Sequence, residues 1–283
     1  MTLRIASFNA ENLMQRFDFS GFKNTMRRDR SIQMLDVQDK AQYEILEQSR
    51  VVAHTDDTMQ LTALAIADCR ADIVCLQEVE NIATLDAFEY GYLYKMAGQG
   101  YQQKYLIEGN DTRGIDVCIM MRDETATGDK IEFVRAQSHV KLTYDDLDIH
   151  NKELLETGNE ADEKIFRRDC LEIDVKIAGR PFTIYNVHFK SMGRPRDGVD
   201  GREWTMPIRE AEAKAVRKII ENRFGKGKTH NKRWIICGDM NDYRSRVIVK
   251  GDRHQGFEFT HLTENKSGID PLFENGFSQD LIA

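Results

Sequence analysis

Trp234-Ile235-Ile236-Cys237-Gly238-Asp239-Met240-Asn241-Asp242 is an apolar run that delivers an acid and an amide to its mouth. Alternate positions of an extended segment point the same way, so Asp239 and Asn241 can face one site together. One offers a proton acceptor and the other a neutral hydrogen-bond donor. A site that must accept a phosphate cannot be lined by carboxylates alone, and an Asn donor beside an Asp base suits hydrolysis of an anion. Gly-Asp and Asn-Asp also form ordinary turns after strands, so the structural reading stays open on this stretch alone.

Three further segments repeat the arrangement of an apolar strand ending in a polar group. Leu3-Arg4-Ile5-Ala6-Ser7-Phe8-Asn9 ends on an amide, and Asp72-Ile73-Val74-Cys75-Leu76-Gln77-Glu78 ends on a carboxylate. Phe182-Thr183-Ile184-Tyr185-Asn186-Val187-His188-Phe189-Lys190-Ser191 carries Asn, His, Lys and Ser in its last turn. Each has a plain alternative: a buried amide bonded to a loop, a solvated strand terminus, a satisfied structural histidine.

In this order, Ser-Phe-Asn, Leu-Gln-Glu, Asn-Val-His-Phe-Lys-Ser and Gly-Asp-Met-Asn-Asp resemble the motifs of the endonuclease/exonuclease/phosphatase superfamily. The resemblance runs from residue 3 to about 245, and the wording around His188 is similar to that of bacterial extracellular-nuclease-like members. It implies an α/β (α+β) fold, a four-layer α/β/β/α sandwich with two packed mixed β-sheets and the site at one edge of them. It also implies hydrolysis of a phosphoester with Mg2+ or Mn2+. Carried over residue by residue, Glu78 holds the metal with Asn9 helping, and Asp239 orients or deprotonates the attacking water. Asn241 donates to a nonbridging oxygen, while His188 binds the phosphate or stabilises its growing charge. Lys190 and Arg113 are candidate substrate contacts. Asp116, an acid within an apolar strand, needs a partner, and a bond to His188 would supply one; the alternative is a strand-end acid that faces water. Asn186 stands behind the same strand end as a supporting residue.

Hydropathy patterning agrees with mixed strands and helices. Asp169 to Ile177 alternates, with Leu171, Ile173, Val175 and Ile177 on one face, and Ala178-Gly179 turns it into the His188 strand as an antiparallel hairpin. Ile115 to Met121 reads as another strand, with Ile131 to Val134 as its partner. Thr58 to Arg70 reads as a helix carrying Leu61, Leu64, Ala65 and Cys69. A second helix begins near Pro207 and ends near Gly225. It places Ile208, Ala211, Ala215, Val216, Ile219 and Ile220 on one stripe, with Glu210, Glu212, Lys214, Arg217 and Lys218 largely outside it.

With 283 residues, 41% hydrophobic and four prolines, the chain reads as a single domain over 1-283. Cys69, Cys75, Cys118, Cys170 and Cys237 lack metal-ligand spacing and read as buried, reduced thiols. No leader or membrane-length run is visible, which points to a cytoplasmic chain without membrane insertion; secretion of a longer precursor is the alternative. A net charge of -7 argues against coating duplex DNA by bulk electrostatics. Local basic sets, Arg27, Arg28 and Arg30, and Lys190, Arg194, Arg196 and Arg202, are candidates for phosphate contacts, with a solvated face as the plain alternative; the second set, joined to the His188 motif, is the stronger candidate.

One departure from the family pattern stands out. Relatives carry a last strand with an acid followed by His, and residues 240–283 hold His254 and His261 without such a pair or a convincing strand. The expectation is a chain truncated before its C-terminal strand, or one lacking part of the machinery, with feeble turnover and self-association through an exposed sheet edge. The partner is a nucleic acid or other phosphoester substrate. Alternatives are a phosphatase or phosphodiesterase acting on a small or lipid-linked phosphate, and a catalytically impaired binding module.

Overall fold

The computed structural model describes residues 2–13, 40, 56–111, 113–196, 198–254 and 256–281. The basic set Arg27, Arg28 and Arg30 lies outside the described residues. The chain divides into two compact units that interleave along the sequence. The first comprises Met1–Ser138, Arg168–Val187 and Trp234–Asp239, and the second His139–Arg167, His188–Arg233 and Met240–Ala283.

The first unit contains both four-stranded sheets. Sheet one has the order β1 (Ile5–Leu13), β2 (Ile73–Val79), β4 (Asp116–Met121), β3 (Gln103–Leu106). β1 runs parallel to β2, while β4 is antiparallel to both β2 and β3, so the sheet is mixed. Sheet two has the order β5 (Ile131–Gln137), β6 (Cys170–Ile177), β7 (Arg180–His188), β8 (Trp234–Asp239). β5, β6 and β7 are successive antiparallel neighbours.

Alternation along the strands explains how these layers stack. Ile73, Cys75, Val117, Ile119 and Met121 of sheet one meet Leu171, Ile173, Val175, Ile177, Ile184 and Cys237 of sheet two in one buried cluster. The opposite face of sheet one sends Val74, Leu76, Cys118 and Met120 against Ala63, Ile66, Leu85, Phe88 and Leu93. These come from α1 (Asp56–Cys69), α2 (Ile82–Phe88) and the π-turn that follows α2. Sheet one is therefore apolar on both faces, which is why its central strands read as continuous apolar runs. Helix, sheet and sheet, three layers of the expected sandwich, lie inside this unit.

The β6–β7 hairpin turns at Ala178 and Gly179, both left-handed at φ 49° and 73°. Two such residues form the turn whose twist matches paired strands, and the pairing Ile177 with Arg180 closes it as expected. Ile131 to Val134 departs from expectation. It belongs to β5, which pairs with β6 in the other sheet and not with β4. The turn over residues 122–130 carries the chain across, and a short strand with no alternation of its own does not announce which sheet it joins. In α1 the buried side is Met59, Ala63 and Ile66, whereas Leu61 and Leu64 are exposed. Cys69 is exposed as well; the other four cysteines are buried, and all five are free.

The second unit is built around α5 (Gly201–Phe224), the long amphipathic helix. A shorter α3 (Tyr94–Ala97) belongs to the first unit and α4 (Lys152–Glu156) to the second. α5 starts six residues before the expected Pro207, because Asp200 caps it by accepting the Arg202 N–H at 2.8 Å. Pro207 is carried inside the helix, and Gly225 at φ 90° ends it. The expected apolar stripe is buried throughout. Glu212 is buried too, contrary to the sequence reading, since its Oε2 accepts the Lys190 N–H at 2.7 Å. β9 (Ser245–Asp252) and β10 (Gly256–Thr263) form an antiparallel hairpin, so His261 does lie on a strand, exposed and opposite Val247. No helix among the described residues is long and apolar enough to cross a membrane.

Gly238 shows why the motif before Asp239 begins with glycine. At φ 143° a Cβ there would stand 2.0 Å from the Val187 carbonyl oxygen on β7. Gly238→Ala is expected to lower stability by ~3 kcal/mol or more, the upper end for overpacking a closed contact, as read from urea unfolding. A midpoint equal to wild type would show that β8 can move away from β7 freely.

Candidate functional site

In the first unit the site is assembled where two edge strands meet. β1 is the edge of sheet one and β8 the edge of sheet two, and they pack together. Asn9 Nδ2 donates to Asp239 Oδ2 at 2.8 Å across 230 residues of sequence, and lies 3.5 Å from Glu78 Oε1. The Asn12 N–H donates to Glu78 Oε2 at 3.0 Å, and Asn9 Oδ1 accepts the Glu11 N–H at 2.9 Å. An amide nitrogen thus sits between two half-buried carboxylates and keeps them from facing each other unshielded.

Backbone geometry aims these groups. In β2, Gln77 pairs with Val117 and Val79 with Asp116, which leaves Glu78 as an unpaired bulge residue. The same shift appears against β1, between Asn9 and Leu13. Glu78 has φ 64°, and Glu11 and Asn12 have φ 48° and 65°. Left-handed residues other than glycine cost on the order of 1 kcal/mol each and gather where the chain must re-aim a side chain. Without the bulge, strict alternation would turn Glu78 toward the helices that pack on sheet one.

Asn186 lies beneath this cluster, fully buried on β7. Its Nδ2 donates to the Leu76 and Cys118 carbonyls at 3.0 and 2.8 Å, and its Oδ1 accepts from Gln77 Nε2 at 2.8 Å. Asp116 is 2% exposed and accepts the Gly109 N–H at 2.7 Å. Arg113 is exposed but held, its Nε and Nη2 donating to the two oxygens of Asp111 at 3.1 and 3.0 Å. Hydrogen bonding to Asp111 raises the Arg113 pKa against the opposing effect of burial, and the charges of Asp111 and Glu78 add to the rise. Arg113 therefore lies within the electrostatic reach of Glu78.

In the second unit His188 is 3% exposed and is followed by buried Phe189 and half-buried Lys190. Asn241, at φ 48°, donates Nδ2 to the Phe189 carbonyl at 3.1 Å. Asp242 has a fully enclosed side chain and is a site-forming residue that the sequence reading treated only as part of a turn. Burial pushes its carboxyl up, but the Gly268 N–H, Arg209 and the Tyr243 N–H outweigh this and hold it below the usual range. Arg209, its fully buried partner, was missed as well. The available signal was an arginine interrupting an otherwise apolar helix face.

The donor set bears on what ion could bind. Among the described residues no group of three or more His, Cys, Asp or Glu is gathered as a closed metal cage. Two carboxylates at an open sheet edge fit a hard cation that keeps several waters, the habit of Mg2+. Glu78 and Asp239 are the residues that could hold such an ion. Asn9 presents its nitrogen to the carboxylates, and its oxygen accepts from the backbone.

The sequence profile described as the Endonuclease/Exonuclease/phosphatase family matches residues 41–268. No curated protein matches the chain. Among solved structures, the chain is similar to humanized D. rerio TDP2 at 18% identity and TM-score 0.41, covering 84% of this chain and 62% of that one. It is similar to SmcL at 14% identity and TM-score 0.41, covering 84% and 63% respectively. For a β-hairpin deletion mutant of Staphylococcus aureus beta toxin the figures are 14%, 0.40, 89% and 69%. The chain spans about three fifths of the length of the first of these, 62%.

The depressed Asp242 carboxyl gives a pH signature. Its contribution to stability is fully present above its unfolded pKa, about 3.9, and is lost as the pH falls through the lower folded value. The stability gap between wild type and Asp242→Asn is expected to be constant above about pH 5 and to shrink below about pH 4, as measured by urea titrations across that range. A gap independent of pH would mean that the Asp242 carboxyl titrates alike in the folded and unfolded chain, so that its donors do not favour the charged form.

Proposed function

Because the chain belongs to the endonuclease/exonuclease/phosphatase family, we propose that it is a divalent-metal-dependent phosphoester hydrolase, with nucleic-acid phosphodiesters as its substrate class. The observation that supports this reading best is the Asn9 amide bridging Glu78 and Asp239 at the shared edge of two sheets.

Each residue is given a role by its chemistry. Glu78 holds the ion, Mg2+ or Mn2+, on a bulge that turns its carboxylate out of the sheet. The ion, when bound, offsets negative charge on the phosphate. Asp239 takes the proton of the attacking water, and Asn9 fixes the orientation of the Asp239 carboxylate through its 2.8 Å bond. Asn241 and His188 donate to phosphate oxygens as charge builds on them. Arg113, already locked by Asp111, is prepared to receive a substrate phosphate with little loss of side-chain freedom. Lys190 supplies a second cation. A net charge of -7 favours recognition at a few phosphates over broad coating of duplex DNA. It suits the second reading, a phosphatase of a small or lipid-linked phosphate, equally well.

Plasmid DNA, single-stranded DNA, RNA, an inositol phosphate and a sphingolipid, each assayed with Mg2+ and with chelator, separate these readings. Chelator-sensitive cleavage of nucleic acid is the expected result; cleavage of the small or lipid-linked phosphate alone would replace it with the second reading, and no cleavage would leave a binding module. Asp239→Asn is expected to keep the fold and lose ~10²–10⁴ in turnover on the best substrate. Wild-type turnover would assign Asp239 to the turn. Glu78→Gln is expected to weaken Mg2+ binding in calorimetry while leaving the thermal midpoint nearly unchanged, and unaltered affinity would remove Glu78 from the ion's shell.

A further inference from the structure

The buried ion pair of the second unit has more contacts than charge neutralisation requires. Asp242 receives four donors: Arg202 Nε and the Tyr243 N–H at 2.8 Å on Oδ1, Arg209 Nε at 3.0 Å and the Gly268 N–H at 2.9 Å on Oδ2. Arg209, enclosed in α5, uses the rest of its fork elsewhere. Nη1 donates to the Lys190 carbonyl at 3.2 Å and Thr205 Oγ1 at 2.6 Å, and Nη2 donates to the Arg202 carbonyl at 2.6 Å. There is no slack around the pair. A Cβ on Gly268 would stand 2.8 Å from Arg209 Cβ and 2.9 Å from Asp242 Oδ2.

Burying an ion pair is a poor route to stability compared with packing apolar groups of the same volume, because both charges are stripped of water. Here the pair closes a ring. Asn241 holds the Phe189 carbonyl, Arg209 holds the next carbonyl at Lys190, and Arg209 is bound to Asp242, the covalent neighbour of Asn241. An amide carries two N–H groups on one rigid plane, so tying one to Phe189 fixes the direction of the other.

We propose that Arg209 and Asp242 are positioning residues, and that the ring they close sets the direction of the Asn241 amide. This rests on the hydrolase reading for its effect on turnover, but not for its effect on geometry. Lysine cannot replace Arg209 in this role. A single ammonium keeps the charge beside Asp242 yet lacks the planar fork that reaches Lys190, Thr205 and Arg202 together.

The test compares wild type, Arg209→Lys, Asn241→Ala and the double variant for kcat, KM and Tm with Mg2+ on the best substrate of the panel. In parallel, the Asn241 side-chain amide is followed by 15N-edited NMR. Arg209→Lys is expected to lower kcat ~10-fold, within the range that small misplacement of a reacting group produces, with KM changed less than ~2-fold. In the Asn241→Ala background the same substitution should change kcat less than ~2-fold, since the group it positions is gone. The Asn241 amide resonances should move in Arg209→Lys. An equal loss of kcat in both backgrounds, or amide resonances that stay in place, overturns the proposal. If wild type hydrolyses nothing on the panel, the hydrolase reading fails and the NMR comparison alone decides the positioning. Should Arg209→Lys not fold at the assay temperature, Thr205→Val, which removes the hydroxyl partner of Nη1, takes its place with the same readouts.

Discussion

The bond from Gln77 Nε2 to Asn186 Oδ1, 2.8 Å long and buried between the sheets of the first unit, fixes what lies above it. Two amides placed in an apolar layer are costly unless every group is bonded. Asn186 meets that condition by reaching the carbonyls of Leu76 and Cys118, one on β2 and one on β4. Sliding β2 by one residue would break the bonds at Leu76 and Gln77, sliding β4 would break the bond at Cys118, and either slip would leave buried polar groups bare. Apolar side chains alone would tolerate such a slip far better, because burial carries no direction. Register is therefore specified at the level just below Glu78, where an error would matter most.

The bulge at Glu78 follows from that constraint. Gln77 must face the second sheet to meet Asn186, and Val79 must return to the core under α1 and α2, where it is fully buried. Only one residue lies between them. Its left-handed φ lets both demands be met, and the carboxylate is turned to the open edge as a result. Strain at this position is thus a consequence of packing on either side of it, and the chemistry uses the direction that packing leaves. The second unit handles the same problem with charge, where a saturated carboxylate and a buried arginine hold two successive carbonyls behind His188.

Strand ends were legible in the sequence because apolar runs stop abruptly at Asn9, Glu78, His188 and Asp239. The alternation of β6 and the Ala178-Gly179 turn were legible for the same reason, that one repeat length governs both pattern and pairing. Sheet membership of β5 was not, since pairing partners are chosen by the crossover and not by the strand. The start of α5 was hidden because Pro207 suggests a first turn, while the true cap at Asp200 precedes a stretch with mixed polarity. The bulge was invisible, as glutamate gives no hint of a left-handed backbone. Glu212 was placed outside the buried stripe by its charge, Asp242 was read as part of a turn and Arg209 was not singled out, and only their contacts to each other and to the backbone at Lys190 account for their burial.

The interleaving of the two units sets an order of events on the ribosome. β8, which brings Asp239 to the edge of sheet two, emerges only after residues His188–Arg233 of the other unit have been made. Until then β7 is an open edge in a nascent chain, and Asn9 waits for a partner 230 positions downstream. Contacts of such sequence separation form late. The carboxylate pair consequently comes together only after β8 has been made, and a nascent chain stalled before Trp234 holds most of the first unit without half of its central chemistry.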